Sequence, residues 1–273
     1  ELKVRRGPSV ALANTLAAEA GAGGVRADLF WSIDSSSLGL VSDATAPPPV
    51  PESLRDLLLP QYRYRHWTPV SGRIRTLAYN TQALTPEAIP RSVMALPDTE
   101  LRFGWAPAYG AFQSFVTAMR LLEGTQATRA WLRAMKPKAR EFAGEFGVVM
   151  AAARGEVDIG FANHYYTLRL KQGRPEAEVA LAMTEHDAGS LLNASGVAIL
   201  QQSALAEGFV RHLLTREVQQ FLAREAFEIP LVPGVDGPAG LPPADQLQPP
   251  DIDLERLADL RPTLDLMRAA GVL

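Results

Sequence analysis

"GEVDIGFANHYYTLRL", residues 155–170, runs from a strand-like segment into two adjacent tyrosines. "VDIGFAN" (157–163) is short, apolar and β-rich, which reads as a buried strand. Neighbouring side chains on a regular strand point to opposite faces, so Tyr165 and Tyr166 can reach one point only where the backbone turns. The end of the strand, where a loop is expected, supplies that turn. A phenol, with a pKa of about 10, is a poor ligand while it holds its proton, and only a strongly charged cation displaces it. Ferric iron suits this chemistry, as tyrosinate-ligated haem shows. A bare Tyr-Tyr pair reads as packing or surface as readily as a metal site.

Outward from this stretch, short β-rich runs alternate with helical patterns, which defines an α/β chain. Strands are expected at "ELKVRRG" (1–7), "ADLFWSI" (27–33), "GRIRTLAYN" (72–80), "ELRFGWAP" (100–107), "VALAMT" (179–184) and "SGVAIL" (195–200). Helices are expected at 8–21, 113–124 and 125–136, and one amphipathic helix over 254–271. "GAGG" (21–24) reads as a helix stop rather than a phosphate cradle, because no strand leads into it. The proline-rich stretches 46–51 and 230–251 read as surface crossings. At 273 residues and 47% hydrophobic content, the chain can bury one large core or two modest ones.

Charge and composition narrow the partners. Lys and Arg number 27 against 30 Asp and Glu, a net charge of −3 with no basic block, so nucleic acid is not an expected partner. No apolar run approaches the roughly 20 residues of a membrane helix. The absence of cysteine removes thiolate chemistry without fixing a compartment. No nucleophile elbow, Walker loop or zinc-protease motif is present, and His66, His164, His186 and His212 lack ligand spacing, so catalysis is not expected. "ELRFGWAPAYGAFQSFVTAMRLL" reads as strand, small-residue turn and helix. Free N–H groups near Gly110 and Ala111 at such a helix start bind anions; an ordinary βα connection looks the same.

The block 155–170, with "ADLFWSID", "HWTPVSGRIRTLAYN", "AYGAFQSFVTAM", "DAGSLLNASGVAIL" and "FEIPLVPGV", resembles the bacterial ferric-ion-binding proteins, the periplasmic receptors of iron ABC transporters. The likeness covers essentially the whole chain. It implies the two-lobed, Venus-flytrap-like (type II) periplasmic-binding-protein fold, with mixed open sheets and helices on both faces. One lobe would hold 1–73 and 193–240, the other 74–192 and 241–273, with hinge strands near 72–80 and 187–197. The resemblance makes Tyr165 and Tyr166 phenolate ligands of Fe³⁺ in the interlobe cleft. It places Asn163, Gly110 and Ala111 around a synergistic carbonate or phosphate, with Arg73 beside that anion.

It also marks departures. Where the family has a glutamate ligand, Ile33 stands with Asp34 next to it. The family's first strand and helix, which carry a histidine ligand, have no counterpart here. Tyr109 replaces a small hydroxyl residue and Glu145 an anion-binding asparagine; a third phenolate and a carboxylate could partly replace the anion, while packing and helix capping explain them equally well. His66 and His164 read as surface residues. The expected protein is a periplasmic, or lipid-anchored extracellular, monomer without a signal peptide in this chain. It would capture ferric iron and pass it to an inner-membrane ABC permease. The alternative is a binding protein of the same fold that takes a small organic or inorganic anion instead.

Overall fold

The computed structural model describes residues 3–273. The chain forms two compact units. Unit 1 contains Glu1–Gly72, Asn193–Asp245 and Asp253–Ala258, and unit 2 contains Arg73–Leu192, Gln246–Ile252 and Asp259–Leu273. The described helices are α1 (Ser9–Gly21), α2 (Ser35–Thr45), α3 (Glu52–Arg55), α4 (Gly110–Met135), α5 (Glu145–Ala153), α6 (His164–Gly173), α7 (Ala204–Leu213), α8 (Arg216–Ala226) and α9 (Arg261–Ala269). The described strands are β1 (Leu29–Ser32), β2 (Thr68–Asn80), β3 (Phe103–Trp105), β4 (Ala139–Glu141), β5 (Ile159–Asn163), β6 (Val179–Ala182), β7 (Leu192–Ile199) and β8 (Ile229–Pro230). The chain passes between the units inside β2, at the start of β7, and three more times in the C-terminal part, after Asp245, Ile252 and Ala258.

Unit 1 is built on β1 and β7, antiparallel from Leu29↔Ile199 to Ser32↔Gly196, with β2 beside β7 and β8 beyond it. Its core packs Val50, Leu54, Val70, Val197, Ile199, Val210 and Leu213. Unit 2 is a mixed sheet in the order β4-β3-β5-β2-β6. β3 runs parallel to β4 and β5, while β2 is antiparallel to β5 and β6. Trp105, Phe112, Phe115, Trp131 and Phe161 form an aromatic cluster under α4, with ring centroids 5.4–6.4 Å apart.

Three expectations are corrected. The strand at 1–7 is not one: Glu1 and Leu2 lie outside the described residues, and residues 3–7 have no regular structure, since β-propensity needs a partner strand to be realised. The expected boundary between the helices at 113–124 and 125–136 is borne out: the run labelled α4 breaks at Gly124, whose φ of 85° only glycine adopts freely. The single helix at 254–271 is a 3₁₀ turn, Leu254–Ala258, followed by α9. Pro262 explains the break, because proline lacks the N–H that a helix interior uses and sits well only in a first turn. Residues 253–258 join unit 1 rather than the unit of 241–273. Trp67 Nε1 donates to Glu255 Oε1 at 2.9 Å, and Gly39 lies against the Glu255 carbonyl, where an added Cβ would stand 2.9 Å away.

The position of α5 depends on two glycines. A Cβ at Gly160 on β5 would stand 2.5 Å from Val148 Cγ1, and one at Gly104 on β3 3.2 Å from the same methyl. Their hydrogens let α5 lie close on the sheet. We expect Gly160→Ala to cost about 1–3 kcal/mol by overpacking. Urea unfolding should show this, with Gly104→Ala costing less; an unchanged midpoint for Gly160→Ala would show that α5 rides higher than described.

Candidate metal centre

In unit 2, β3, β4 and β5 run parallel, and each leads into a helix: β3 into α4, β4 into α5, β5 into α6. The three helix N-termini therefore gather at one sheet edge, the carboxyl ends of the strands, where open α/β sheets bind their ligands. None of the three carries a side-chain cap. Each leaves first-turn N–H groups and the positive end of its dipole directed toward that edge.

The candidate residues come from these three junctions. Tyr109 is the N-cap of α4, followed by Gly110 and Ala111. Glu145 is the first residue of α5. Asn163 is the N-cap of α6, and Tyr165 and Tyr166 lie in its first turn, so the tyrosines sit on a helix rather than in the loop expected there. Successive helical residues turn by about 100°, which brings adjacent side chains to one side more readily than a strand does. The Tyr165 and Tyr166 ring centroids are 4.4 Å apart, and the Tyr109 and Tyr166 hydroxyls share a 2.8 Å hydrogen bond. The Tyr165 hydroxyl lies close enough to perturb the other two, so the three phenols converge.

The electrostatics of Tyr166 and Tyr109 favour the protonated form. Burial pushes the Tyr166 hydroxyl well above the ordinary phenol range, and hydrogen bonds with Tyr109 and Tyr165 and their nearby charge raise it further. Burial also raises Tyr109; its bond with Tyr166 opposes this, and the charges of Tyr165 and Glu145 add to it. Both hydroxyls hold their protons at neutral pH. Among the described residues, no three of His, Asp and Glu gather as a metal-binding cluster.

Glu145 does not cap its own helix. Its Oε2 accepts the Asn163 N–H at 2.9 Å, and its Oε1 accepts from Arg75 Nη1 in a short ion pair. The two side chains are 0% and 2% exposed, which makes this an internal pair rather than a surface one. Arg75 sits on β2 opposite Asn163 of β5, with Cζ 5.6 Å and 5.3 Å from the Phe112 and Phe115 ring centroids. Arg75 is not among the residues expected at the site from the sequence. The available signal was an arginine inside a long apolar strand, which needs a buried carboxylate, and a glutamate opening the apolar helix "EFGVVMAAA".

Other candidates fall elsewhere. Arg73 is half-buried at the first position of unit 2, on the same face of β2 as Arg75 by strand alternation. Asp34 belongs to unit 1 and caps α2: its carboxylate accepts the Ser37 N–H at 2.8 Å and the Ser36 hydroxyl at 2.6 Å. His164, expected at the surface, is fully buried, because as the first residue of α6 it points back onto β2, where the Ile74 N–H approaches its Nδ1 at 3.2 Å. His66 is half-buried, its Nδ1 2.9 Å from the Pro47 carbonyl.

This architecture belongs to a known class: residues 63–253 match the bacterial extracellular solute-binding proteins, and the chain is a member of that family. Members bind and hand on solutes, so the protein is a binding protein and not an enzyme. Among its relatives, the major ferric iron-binding protein of Neisseria meningitidis serogroup A is 30% identical over 258 residues, covering 90% of this chain and 78% of that one. The Fe(3+)-binding periplasmic protein of Serratia marcescens is also 30% identical, covering 100% and 83%. The iron-bound crystal structure of HitA from Pseudomonas aeruginosa superposes with a TM-score of 0.84 at 28% identity, covering 99% of this chain and 90% of that one.

Removing one partner of the internal pair leaves a buried charge without compensation. We expect Arg75→Met and Glu145→Gln each to destabilise the fold, Arg75→Met by about 3–5 kcal/mol. The double variant should recover most of that loss. Additive losses in denaturant unfolding would show that the two groups are not coupled.

Proposed function

We propose that the protein captures ferric iron at the edge where α4, α5 and α6 begin, through the phenolates of Tyr165, Tyr166 and Tyr109. The observation that carries this reading is the convergence of three phenol hydroxyls on uncapped helix N-termini, in a chain whose relatives are ferric-binding proteins. Three helix dipoles stabilise the negative charge that phenolates acquire. The iron is cargo: loaded outside the cytoplasmic membrane and passed to an ABC permease. An anionic group closes the coordination shell. One source is external carbonate or phosphate on the Gly110 and Ala111 N–H groups, with Asn163 and Arg73 at its sides; the other is a carboxylate of the chain itself. The use of Asp34 as a helix cap favours a second reading, a small-anion binder of the same fold, since the carboxylate nearest the family's glutamate position is already engaged.

Ferric iron added to the purified protein should give a visible phenolate-to-iron charge-transfer band. Tyr165→Phe/Tyr166→Phe should abolish it with little loss of fold, and Tyr109→Phe should move its maximum. A band unchanged in the double variant excludes these ligands, and absence of any band with retained anion binding selects the second reading.

The raised Tyr109 and Tyr166 hydroxyls must each release a proton to solvent when the metal binds. Acid restores the phenols and expels iron, so affinity should fall with falling pH, by about tenfold per unit for each proton released and thus by at least about 100-fold for these two. Competition against a chelator of known pH dependence measures this. A pH-independent affinity after that correction would remove both phenols from the ligand set.

A further inference from the structure

We propose that Glu145 is a built-in anion: its carboxylate takes the Arg75 guanidinium and the Asn163 N–H, donors that would otherwise receive an external carbonate or phosphate, so the site loads iron without either. This rests on the ferric reading above. Three features that recognise an external anion in a binding protein converge here on an internal one. A guanidinium donates to Oε1, a backbone N–H of the α6 N-cap donates to Oε2, and the uncapped N-terminus of α5 carries the side chain itself. The carboxylate has no solvent exposure.

The surroundings favour a permanent occupant. A second anion beside Glu145 would repel it, as two carboxylates that share one site do. The Arg75 guanidinium is saturated by no other oxygen: Nε and Nη2 have no acceptor, and the ring contacts of Phe112 and Phe115 supply its remaining environment. Without Glu145, that guanidinium would be a buried cation in search of an anion. Asparagine at position 145 is therefore the informative change, because it removes the charge, shortens the side chain and leaves Arg75 and the Asn163 N–H to receive a guest. The role is one of positioning and charge balance next to the phenols.

The experiment has two arms. In the first, protein stripped of anions in CO₂-free zwitterionic buffer is loaded with ferrous chloride oxidised in CO₂-free air, with or without millimolar bicarbonate or phosphate. The wild type should develop its full charge-transfer band in both conditions, with apparent affinity changed by less than about twofold, while E145N should bind at least about tenfold more tightly when the anion is present. In the second arm, the metal-free proteins are melted with and without phosphate. Phosphate should raise the melting temperature of E145N and leave the wild type unmoved.

A wild type whose band requires added anion overturns the proposal, as does a phosphate-induced shift in wild type equal to that of E145N. Should no iron band form under any condition, the ferric reading fails on its own, and the metal-free melts still decide whether Glu145 fills an anion's place. If E145N does not fold, the wild-type titration alone decides, with anion independence supporting the built-in carboxylate and anion dependence refuting it.

Discussion

Three parallel strands ending at one edge are the constraint on which the rest of unit 2 depends. With β4, β3 and β5 side by side and pointing the same way, the chain must enter α4, α5 and α6 at that edge, and each entry exposes N–H groups that the helix cannot satisfy. In many helices a serine or aspartate side chain fills this need, as Asp34 does for α2. Here no side chain caps any of the three. The edge is left with a concentration of positive partial charge, and the side chains that collect there are acidic or can become so: Tyr109, Glu145, Tyr165 and Tyr166.

β2 supplies the counter-charge. Its antiparallel register against β5 sets Arg75 opposite Asn163, so one guanidinium stands where β5 hands over to α6. Pairing with Glu145 keeps the buried charges balanced, and the Tyr109 and Tyr166 hydroxyls stay protonated beside them. The close seat of α5 over Gly160 and Gly104 matters for the same reason, since a helix displaced by even a methyl group would carry Glu145 away from both Arg75 and the Asn163 N–H. Packing and electrostatics in this unit are one problem: small residues on two strands set the height of the helix that carries the internal carboxylate.

Much of the fold was legible in the sequence because local patterns agreed with it. The strands around 72–80, 157–163 and 195–200 were apolar and β-rich, and each has a partner. The tyrosine pair was legible as chemistry, and its neighbours at 109–111 and 163 followed from resemblance. What was not legible was tertiary. Arg75 and Glu145 are 70 residues apart, and nothing local joins them. His164 looked like a surface residue because its burial comes from contact with β2 rather than from any helix-face pattern. The apparent strand at residues 3–7 erred the other way, with suitable side chains and no partner. The break before α9 turned on Pro262, where one missing N–H outweighed an otherwise continuous amphipathic pattern.

The protonated state of the phenols gives the ferric reading its selectivity. A cluster of ionised carboxylates attracts any cation and needs one to relieve its own repulsion, whereas phenols held above their ordinary range present neutral oxygens to whatever approaches. A metal must then repay the cost of each proton it displaces, and each unit by which the folded protein raises a phenol adds about 1.4 kcal/mol to that cost. The cost is the same for every metal, while the return grows with charge and with affinity for oxygen anions. Calcium and magnesium also take oxygen ligands, but as divalent ions they gain less from each phenolate than a trivalent ion does, and so are less able to expel two such protons. On the ferric reading proposed above, burial of Tyr166 and its bond to Tyr109 would act as a threshold, weakening the site for all cations equally and leaving bound only those of highest charge density. On the same reading, the protons returned as the pH falls would provide the route by which the ion is released.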